Sequence, residues 1–558
     1  MEAESKTGVF LSRRGFMKGL ALGAAGAGVA MSIGCSPKNS DTSTSAGVAG
    51  SSSGDVPSFM IAPEPIDEAK ITDTIDTQVL IVGAGIGGAT AALSCVENGL
   101  DVVLIDKLEK PRSVGCDYGF VNAQPQIDAG LEPVDPYTLT RDHVAKSANR
   151  VDTSVVYRFM SRSGEAGDWF TAKAAEFGLY PEVQDYAGSS DFYKNYVHVI
   201  RYFPKENRPE NIYDNLATIL SGFAEKVVEA GSTFMPKTEA VQLSQSEDGS
   251  ILGAICKTAD EAYIKVNASK GVVLATGDYA GDSEMLAEYL EWDVDDIEMN
   301  ESTGLGEGHK MGLWVGAQMQ TAPHPMMLFH EAHVYHYLRV NKNGQRYVNE
   351  DAGYCGASAA QLRQPDHASW AIFDSKWPEE IPASTEFGGG MGWDQDGREI
   401  NAPWVAEDEE RDVFDYEREA GYMSEAETLE ELADLMGLDS DAKSTFLSTV
   451  DRYNQLCETA VDEDFGKRSE LMRLSSIKEP PFYAVRMITD LGVSVGGLIN
   501  DVEGRLLDDD GKPIPGLYGI GNVTGSMFAV DYNEVTVPGI SLARNITFGW
   551  LLGKHLAS

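Results

Sequence analysis

Cysteine is scarce in this chain of 558 residues, and its six cysteines lie far apart. They are Cys35, Cys95, Cys116, Cys256, Cys355 and Cys457. Because neither a C-x-x-C nor a C-x-x-C-H motif occurs, the sequence gives no support for a locally ligated iron–sulfur cluster or haem. A cluster assembled from distant cysteines stays open as an alternative, but buried thiols are the simpler interpretation.

Basic residues are also few, since 44 lysines and arginines stand against 87 acidic residues, for a formal net charge of −43. This balance argues against a nucleic acid or an anionic lipid surface as partner. It suits a basic electron carrier as partner, and equally an acidic surface that is simply well solvated. Long hydrophobic runs are missing too, and beyond residue 35 no stretch is apolar enough to span a membrane.

The N-terminus has the pattern of an export signal. Ser12–Lys18 has the form S-R-R-x-F-x-K of a twin-arginine signal, and a weakly apolar stretch, Gly19–Gly34, follows it. Residues 1–35 are therefore predicted to be a signal peptide, and residues 36–71 a disordered linker. We expect an extracytoplasmic protein of the cell envelope. Ile33-Gly34-Cys35 resembles a lipoprotein processing box, so a lipid-anchored Cys35 and cleavage further along both stay open.

A dinucleotide-binding pattern lies in Gln78–Lys107. An apolar run, Val79–Val82, predicts a buried strand, and glycines in the spacing G-x-G-x-x-G follow at Gly83, Gly85 and Gly88. The first glycine allows a tight turn, the second lets a pyrophosphate approach the backbone, and the third lets the following helix pack closely on the strand.

An acidic residue completes this pattern. A second apolar strand ends at Asp106, which stands 18 residues after Gly88, where a carboxylate accepts hydrogen bonds from the adenosine ribose. Strand, helix, second strand and acid are all in register, so a dinucleotide site is predicted.

Periodicity predicts further elements along the chain. The clearest helices are Asp152–Ala174 and Asn211–Ala230, and weaker strands flank Gly249. Two more apolar strands run into glycine turns before the C-terminal helix; these segments are Lys270–Gly277, Gly516–Asn522 and Gly539–Leu556.

Several short blocks carry a resemblance to a known family. They are similar to the motifs T-G-D-G-x-x-M, H-P-T, T-E-A, G-x-R-F-V-N-E and M-G-G-L, and they lie at Thr303–Gly312, His324-Pro325, Glu331-Ala332, Gly344–Glu350 and Val495–Leu498. With the glycine fingerprint, they make residues 75–558 resemble the FAD-dependent fumarate reductase/flavocytochrome c superfamily, which includes the 3-ketosteroid Δ1-dehydrogenases.

This resemblance implies an α/β fold with a Rossmann-like FAD-binding domain that is split by an inserted α+β capping domain. The FAD-binding parts are expected at 72–318 and 493–558, and the cap at 319–492. FAD is the implied cofactor, with its isoalloxazine facing the cap. The expected contacts are Gly83, Ala84, Gly85, Gly87, Gly88, Asp106, Lys107, Ala275, Thr276, Gly277, Gly521, Asn522, Ser541 and Leu542.

Departures from the family pattern bear on the substrate. Tyr354 stands where fumarate reductases have an arginine that acts as the proton donor, and Leu491–Ser494 lacks the histidine that they carry there. Their C-terminal arginine is missing from Phe528–Glu534, and the next arginine is Arg544. A buried dianion without these cationic partners is disfavoured by several kcal/mol, which argues against fumarate as the substrate.

The replacements are closer to the ketosteroid branch. Asn349–Tyr354 resembles its N-E-x-x-P-Y block, and Gly539–Gly549 resembles its G-x-T-x-G-x-x-M-T-F-G block. The resemblance implies that the Gly539 N–H and the Tyr532 hydroxyl bind the substrate carbonyl. It also implies Tyr354 as the proton donor, tuned or relayed by Tyr118, Glu331 or His333, although each tyrosine has an ordinary packing role as its alternative.

Four of the nine histidines, His324, His330, His333 and His336, lie within 13 positions. No carboxylate pattern accompanies them, so substrate contacts or surface histidines are favoured and no metal site is predicted.

Together these features favour an exported FAD-dependent oxidoreductase acting on CH–CH groups. It would reduce a carbonyl-conjugated C=C bond as a respiratory reductase, fed by a membrane cytochrome or a quinol-linked donor, and resembles secreted enone and cardiac glycoside-type reductases. The alternatives are a 3-ketosteroid-type dehydrogenase running the reverse reaction, a fumarate reductase-like enzyme for another unsaturated acid, and a non-catalytic flavoprotein relay.

Overall fold

The computed structural model describes most of the chain after residue 55. The described residues are 56–184, 197–206, 212–292, 298–299, 304–330, 336–351, 354–384, 414–530, 532 and 536–558. From Val56 to Ser558 they belong to one compact unit. The predicted twin-arginine motif and Cys35 lie outside the described residues. Within the described part, no helix is long and apolar enough to cross a membrane.

Strands and helices alternate along the first half of the chain. The strands are β1 (Ile71–Val82), β2 (Val102–Asp106), β3 (Leu179–Gln184), β4 (Val199–Pro204), β5 (Thr233–Pro236), β6 (Glu239–Gln245), β7 (Ile251–Lys257), β8 (Tyr263–Leu274), β9 (Glu298–Met299), β10 (Met326–His330), β11 (Leu338–Asn341), β12 (Ser369–Asp374), β13 (Met423–Ala426), β14 (Phe482–Met487), β15 (Thr489–Ser494), β16 (Arg505–Leu507) and β17 (Pro513–Gly519). The helices are α1 (Ile86–Glu97), α2 (Gln124–Asp128), α3 (Pro136–Lys146), α4 (Thr153–Glu176), α5 (Tyr213–Glu229), α6 (Ser283–Tyr289), α7 (Glu307–Trp314), α8 (Tyr354–Leu362), α9 (Trp377–Ser384), α10 (Asp415–Glu419), α11 (Leu429–Leu435), α12 (Ser440–Thr459), α13 (Ser469–Met472) and α14 (Ile540–Ala557).

The largest sheet has the order β16-β17-β8-β1-β2-β5, and β7 and β6 extend it beside β8. β17, β8, β1, β2 and β5 run parallel, while β16, β6 and β7 pair antiparallel. Leu80 and Ile81 of β1 are fully buried, as the apolar run predicts for a central parallel strand. The predicted α/β class is confirmed.

Two helices cover one region of this sheet and contact each other through small residues. A Cβ built on Gly549 of α14 would lie 2.7 Å from the carbonyl oxygen of Gly87 in α1, and one on Gly553 would lie 2.5 Å from Ser94 Oγ. The Ser94 hydroxyl donates a 2.8 Å hydrogen bond to the carbonyl oxygen of Trp550. The C-terminal helix is therefore locked against the first helix of the fold.

The other sheets are smaller. One has the antiparallel order β11-β12-β14-β13 within the predicted cap, another has the order β10-β15-β9, and β3 pairs with β4. The helices predicted at 152–174 and 211–230 are confirmed as α4 and α5. The exact domain boundaries, 72–318, 319–492 and 493–558, stay predictions. Five of the cysteines are described, and all five are buried thiols outside any disulfide, in agreement with the predicted buried thiols.

Candidate active site

Three chain turns meet at the carboxyl edge of the large sheet. The Gly83 N–H donates to the carbonyl oxygen of Ile105 at 2.9 Å, the Ala275 N–H to that of Val82 at 2.8 Å, and the Ile520 N–H to that of Leu274 at 3.0 Å. These bonds continue the parallel pairing just past β1, β2, β8 and β17. The glycine turns predicted from separate segments are thus brought side by side, at the edge where open α/β sheets bind their ligands.

The first of these turns is shaped by its glycines. Gly83 has a φ of 101°, and a Cβ there would lie 2.4 Å from the carbonyl oxygen of Ala275. A Cβ on Gly88 would lie 1.8 Å from the carbonyl oxygen of Gly83, so helix and turn are in closest contact there. At Gly85 the nearest atom to a built Cβ is 3.5 Å away, which leaves the N-terminus of α1 open to a phosphate.

Asp106 is held at the end of β2, with 9% of its surface exposed. Its carboxylate accepts hydrogen bonds from the N–H groups of Ala84, at 2.6 Å, and Leu108, at 2.7 Å. Burial raises the pKa of Asp106, and these two amide bonds oppose that shift. Beside it, Lys107 forms an ion pair with Glu307 at the start of α7. The carboxylate is therefore fixed in orientation at the position expected for ribose recognition.

The turn after β8, and the part of α14 that contacts the turn after β17, carry buried polar atoms that have no hydrogen-bond partner among the described residues. These atoms are Thr276 Oγ1, Asn545 Oδ1, and Nε and Nη1 of Arg544. Gly277, with a φ of 80°, has no atom within 4 Å of a built Cβ and so borders open space. Buried donors and acceptors are normally satisfied, so this edge is built to receive a polar ligand. A dinucleotide such as FAD fits that requirement.

The predicted carbonyl-binding residues come together at the start of α14. The Tyr532 hydroxyl accepts a 3.1 Å hydrogen bond from the Ser541 N–H, and the Tyr532 side chain is buried. Gly539 precedes the helix with a φ of 69°. Its carbonyl oxygen accepts a 3.0 Å bond from the Gly119 N–H, which ties the loop containing Tyr118 to this helix start. Tyr532, Gly539, Ser541 and the predicted contact Leu542 thus form one local group.

The Tyr118 ring lies in an aromatic cluster of the large core. It makes an edge contact with Tyr202 at a centroid distance of 5.0 Å and a tilted contact with Phe170 at 5.3 Å. Its backbone pairs with Ile200, and burial holds the pKa of its hydroxyl well above the usual range. The Tyr118 ring therefore packs in the core, and its role as a proton relay stays a prediction.

Of the remaining predicted proton-transfer residues, Glu331 and His333 lie outside the described residues. Tyr354 is the first residue of α8, and its side chain is also outside the described part. The next residue, Cys355, is buried, and its thiol lies 3.3 Å from the carbonyl oxygen of Leu328 in β10. The start of α8 is therefore fixed beside β10, in the segment that carries the predicted acid group.

His324 is a buried packing residue with a fixed tautomer. Its Nε2 lies 2.8 Å from the Gln320 carbonyl oxygen, which only accepts, so Nδ1 accepts from the Tyr279 hydroxyl at 2.7 Å. The ring stacks on Tyr289 at a centroid distance of 4.3 Å. The interpretation as surface histidines is wrong for His324 and His336, which are 4% and 1% exposed. Among the described residues, no group of side chains is arranged to hold a metal.

Buried histidines make the fold sensitive to acid. Burial lowers the pKa of His143 and His324 to about 4, and that of His309 and His336 to about 3. Because the unfolded chain binds these protons near its ordinary pKa of about 6.5, stability is fully present above that pH and falls as the pH drops from about 6.5 towards 4. The midpoint of thermal unfolding should be nearly constant above about pH 7 and decrease below it.

The sensitivity is tested by recording thermal unfolding between pH 8 and 4.5. His143→Asn removes one of the four groups and should reduce the slope of the midpoint against pH. A midpoint of thermal unfolding that stays constant down to pH 5, or an unchanged slope of that midpoint in His143→Asn, would show that the buried histidines do not cause the acid sensitivity.

Comparison with known proteins agrees with this geometry. The family model described as FAD binding domain matches residues 78–533. A probable fumarate reductase of Shewanella frigidimarina is 25% identical over 536 residues, covering 90% of this chain and 81% of the relative. A vinyl phenol reductase of Lactiplantibacillus plantarum is 24% identical over 511 residues, covering 86% of this chain and 96% of the relative.

Among solved structures, a 3-ketosteroid Δ1-dehydrogenase from Sterolibacterium denitrificans superposes with a TM-score of 0.66 at 18% identity, covering 86% of this chain and 99% of that one. At that identity the likeness concerns the fold. The matching family model, which spans most of the chain, confirms the resemblance inferred from the motifs. The chain belongs to the FAD binding domain family, and it is an FAD-dependent oxidoreductase.

Proposed function

We propose that this chain reduces the C=C bond of a small substrate in which that bond is conjugated to a carbonyl group. The observation that carries the proposal is the local group at the start of α14, where Gly539, Tyr532 and Ser541 are held together. Relatives named for fumarate, vinyl phenol and 3-oxosteroid chemistry support an activated alkene as the substrate class.

The chain's own contribution is to bind and polarise the carbonyl. Negative charge that develops on the carbonyl oxygen is stabilised at the positive N-terminal end of α14, where the Gly539 backbone lies. The hydrogen bond from the Ser541 N–H to the Tyr532 oxygen polarises that hydroxyl and strengthens it as a donor to the substrate. FAD, when bound, supplies the hydride. Tyr354 is the proposed proton donor to the neighbouring carbon.

The described residues at the two positions where fumarate reductases carry cationic groups support a neutral enone over a dicarboxylate. Leu491 of β15 is fully buried and apolar, in the segment where fumarate reductases carry a histidine. The nearest arginine in sequence to the C-terminal loop, Arg544, is buried and donates a hydrogen bond to Asn522. A dianion bound here would lose its hydration without gaining those charge-assisted hydrogen bonds.

The proposal is tested by reducing the bound flavin anaerobically and adding enones, cinnamates, cardenolides, fumarate or urocanate in turn. A neutral enone should restore the oxidised flavin absorbance rapidly. Tyr354→Phe should slow that step by about 100-fold or more, since a positioned acid contributes roughly 10²–10⁴-fold. Tyr137→Phe, which alters a tyrosine that is 68% exposed, is the matched control and should behave as the wild type.

Two outcomes would contradict the proposal. Equally fast reoxidation of the flavin by fumarate in wild type and Tyr354→Phe would refute both the argument against fumarate as substrate and the assignment of Tyr354 as the proton donor. Failure of every alkene to reoxidise the flavin would favour the electron relay.

We further propose that the enzyme is exported and works as a respiratory reductase that receives electrons from a membrane cytochrome or a quinol-linked donor. The twin-arginine motif at Ser12–Lys18 supports export, and the net charge of −43 suits a basic electron carrier. A lipid-anchored Cys35 would hold the enzyme near such a donor.

A further inference from the structure

Arg544 is a charged residue inside the core. It lies in the first turns of α14, and only 1% of its surface is exposed. Its Nη2 donates a hydrogen bond to Asn522 Oδ1, while Nε and Nη1 have no hydrogen-bond partner among the residues that the structure describes. A guanidinium carries five N–H donors, so most of this group's hydrogen-bonding capacity is left to a ligand.

Nothing in the described part of the chain neutralises this charge. No ion pair of Arg544 occurs there, and its nearest ring contact is with Phe528, whose centroid lies 5.0 Å from the guanidinium carbon. Burial lowers the pKa of Arg544 to about 10, with Tyr532 opposing the shift, so the group stays positively charged at neutral pH. A buried, unpaired charge costs several kcal/mol, which a bound acceptor would recover.

The position of the guanidinium identifies the acceptor. Asn522, its one hydrogen-bond partner in the described part of the chain, directly follows Gly521 in the turn after the parallel strand β17. The neighbouring residue, Asn545, lies at the same edge, since its Oδ1 is 3.0 Å from a Cβ built on Gly521 and has no partner of its own. Both orphaned groups therefore border the cofactor edge of the sheet.

We propose that Arg544 is a cofactor-binding residue whose Nε and Nη1 donate hydrogen bonds to oxygen acceptors of FAD, and whose positive charge favours the reduced flavin. The inference rests on FAD binding and is independent of the proposed alkene substrate. Reduction adds electron density to the cofactor, so a fixed cation in a site shielded from water binds the reduced form more tightly than the oxidised form.

The test compares Arg544→Met and Arg544→Lys with the wild-type holoenzyme. In Arg544→Met, the dissociation constant of oxidised FAD should rise about tenfold, and that of reduced FAD about 100-fold. The two-electron midpoint potential should then fall by about 30 mV, because a tenfold change in the ratio corresponds to 29.6 mV. Arg544→Lys keeps the charge without the planar fork and should retain most of the potential but less of the affinity.

Protein without FAD separates binding from a merely structural role. Replacing an unpaired buried charge by an apolar side chain of similar length should leave the apo-protein at least as thermally stable as the wild type, while the stabilisation gained on adding FAD decreases. Arg452→Met is the matched control, because Arg452 belongs to α12, its side chain is 45% exposed and it pairs with Asp464. It should change neither affinity nor potential.

Three results would overturn the inference. Unchanged FAD affinity and midpoint potential in Arg544→Met would show that Arg544 does not contact the cofactor. If Arg544→Met destabilised the apo-protein as much as the holoenzyme, the role of Arg544 would be to stabilise the fold. Unchanged flavin properties, combined with loss of the absorbance change that an unsaturated monocarboxylate causes in the wild type, would assign the cation to the substrate.

Discussion

Gly88→Ala is expected to remove FAD from the purified protein. The added Cβ would lie 1.8 Å from the carbonyl oxygen of Gly83 and 3.1 Å from the Ala275 side chain, so α1 has to move away from the turn. Overpacking of this kind costs about 1–3 kcal/mol, and here the displaced atoms are those that form the phosphate site. We expect FAD affinity to fall by about 100-fold or more and the unfolding temperature of the holoenzyme to decrease with it.

Gly87→Ala provides the steric control for this result. A Cβ at Gly87 would lie 3.6 Å from its nearest neighbour, the Ile520 side chain, which is ordinary van der Waals contact. The same substitution one residue earlier on the same helix should therefore leave the unfolding temperature of the apo-protein close to the wild-type value. Equal loss of FAD and equal destabilisation in both variants would show that the close contact at Gly88 is not the cause.

Arg346→Met should cause the largest loss of folding stability. The Arg346 guanidinium bridges Glu350 and Asp462, with Nη2 at 2.7 Å from one carboxylate and 2.8 Å from the other, and both carboxylates are fully buried. Without it, two buried negative charges face each other, and among the described ion pairs Lys467, at 3.9 Å from Glu350, is the one cation left to offset them. Removing one partner of a buried ion pair costs about 3–5 kcal/mol, to be measured by denaturant unfolding.

Arg452→Met is the matched surface control. Arg452 also pairs with two acids, Asp464 at 2.7 Å and Glu463 at 3.4 Å, but its side chain is 45% exposed. Solvent-exposed pairs contribute little because water screens them, so this variant should unfold close to the wild type. A loss in Arg346→Met no greater than that in Arg452→Met would refute the structural role assigned to the buried cluster.

The nucleotide-binding half of the fold was the part most open to prediction from sequence. β1, α1 and β2 follow one another without interruption, so their apolar runs and glycine spacing encode a local unit that local reasoning can find. The pairing of β8 with β1 and of β17 with β8 joins distant segments, and only the repeated strand–glycine pattern indicated it. In the cap, the strands are short and most of their residues are buried, so their sequences lack the polar–apolar alternation that would locate them without the resemblance.

Site residues were predictable as positions but not always as side-chain environments. The loop of Tyr118 does reach Gly539 through the Gly119 N–H, yet the ring direction depends on Tyr202 and Phe170, which arrive from other elements. Arg544 was noted only as an arginine in the wrong place for a substrate clamp. The available signal was a charge within the first, otherwise uncharged turns of α14, and its meaning needed the position of Asn522.

The contact between α1 and α14 constrains when the cofactor can enter the protein. One wall of the FAD edge comes from the first strand–helix unit, and the other comes from β17 and α14, which are synthesised only after the strands and helices that lie between them in the sequence. The sheet edge therefore stays incomplete and partly apolar until β17 and α14 have been synthesised. We expect FAD to bind only after that point, so that insertion of the cofactor and packing of α14 on α1 become a single maturation step.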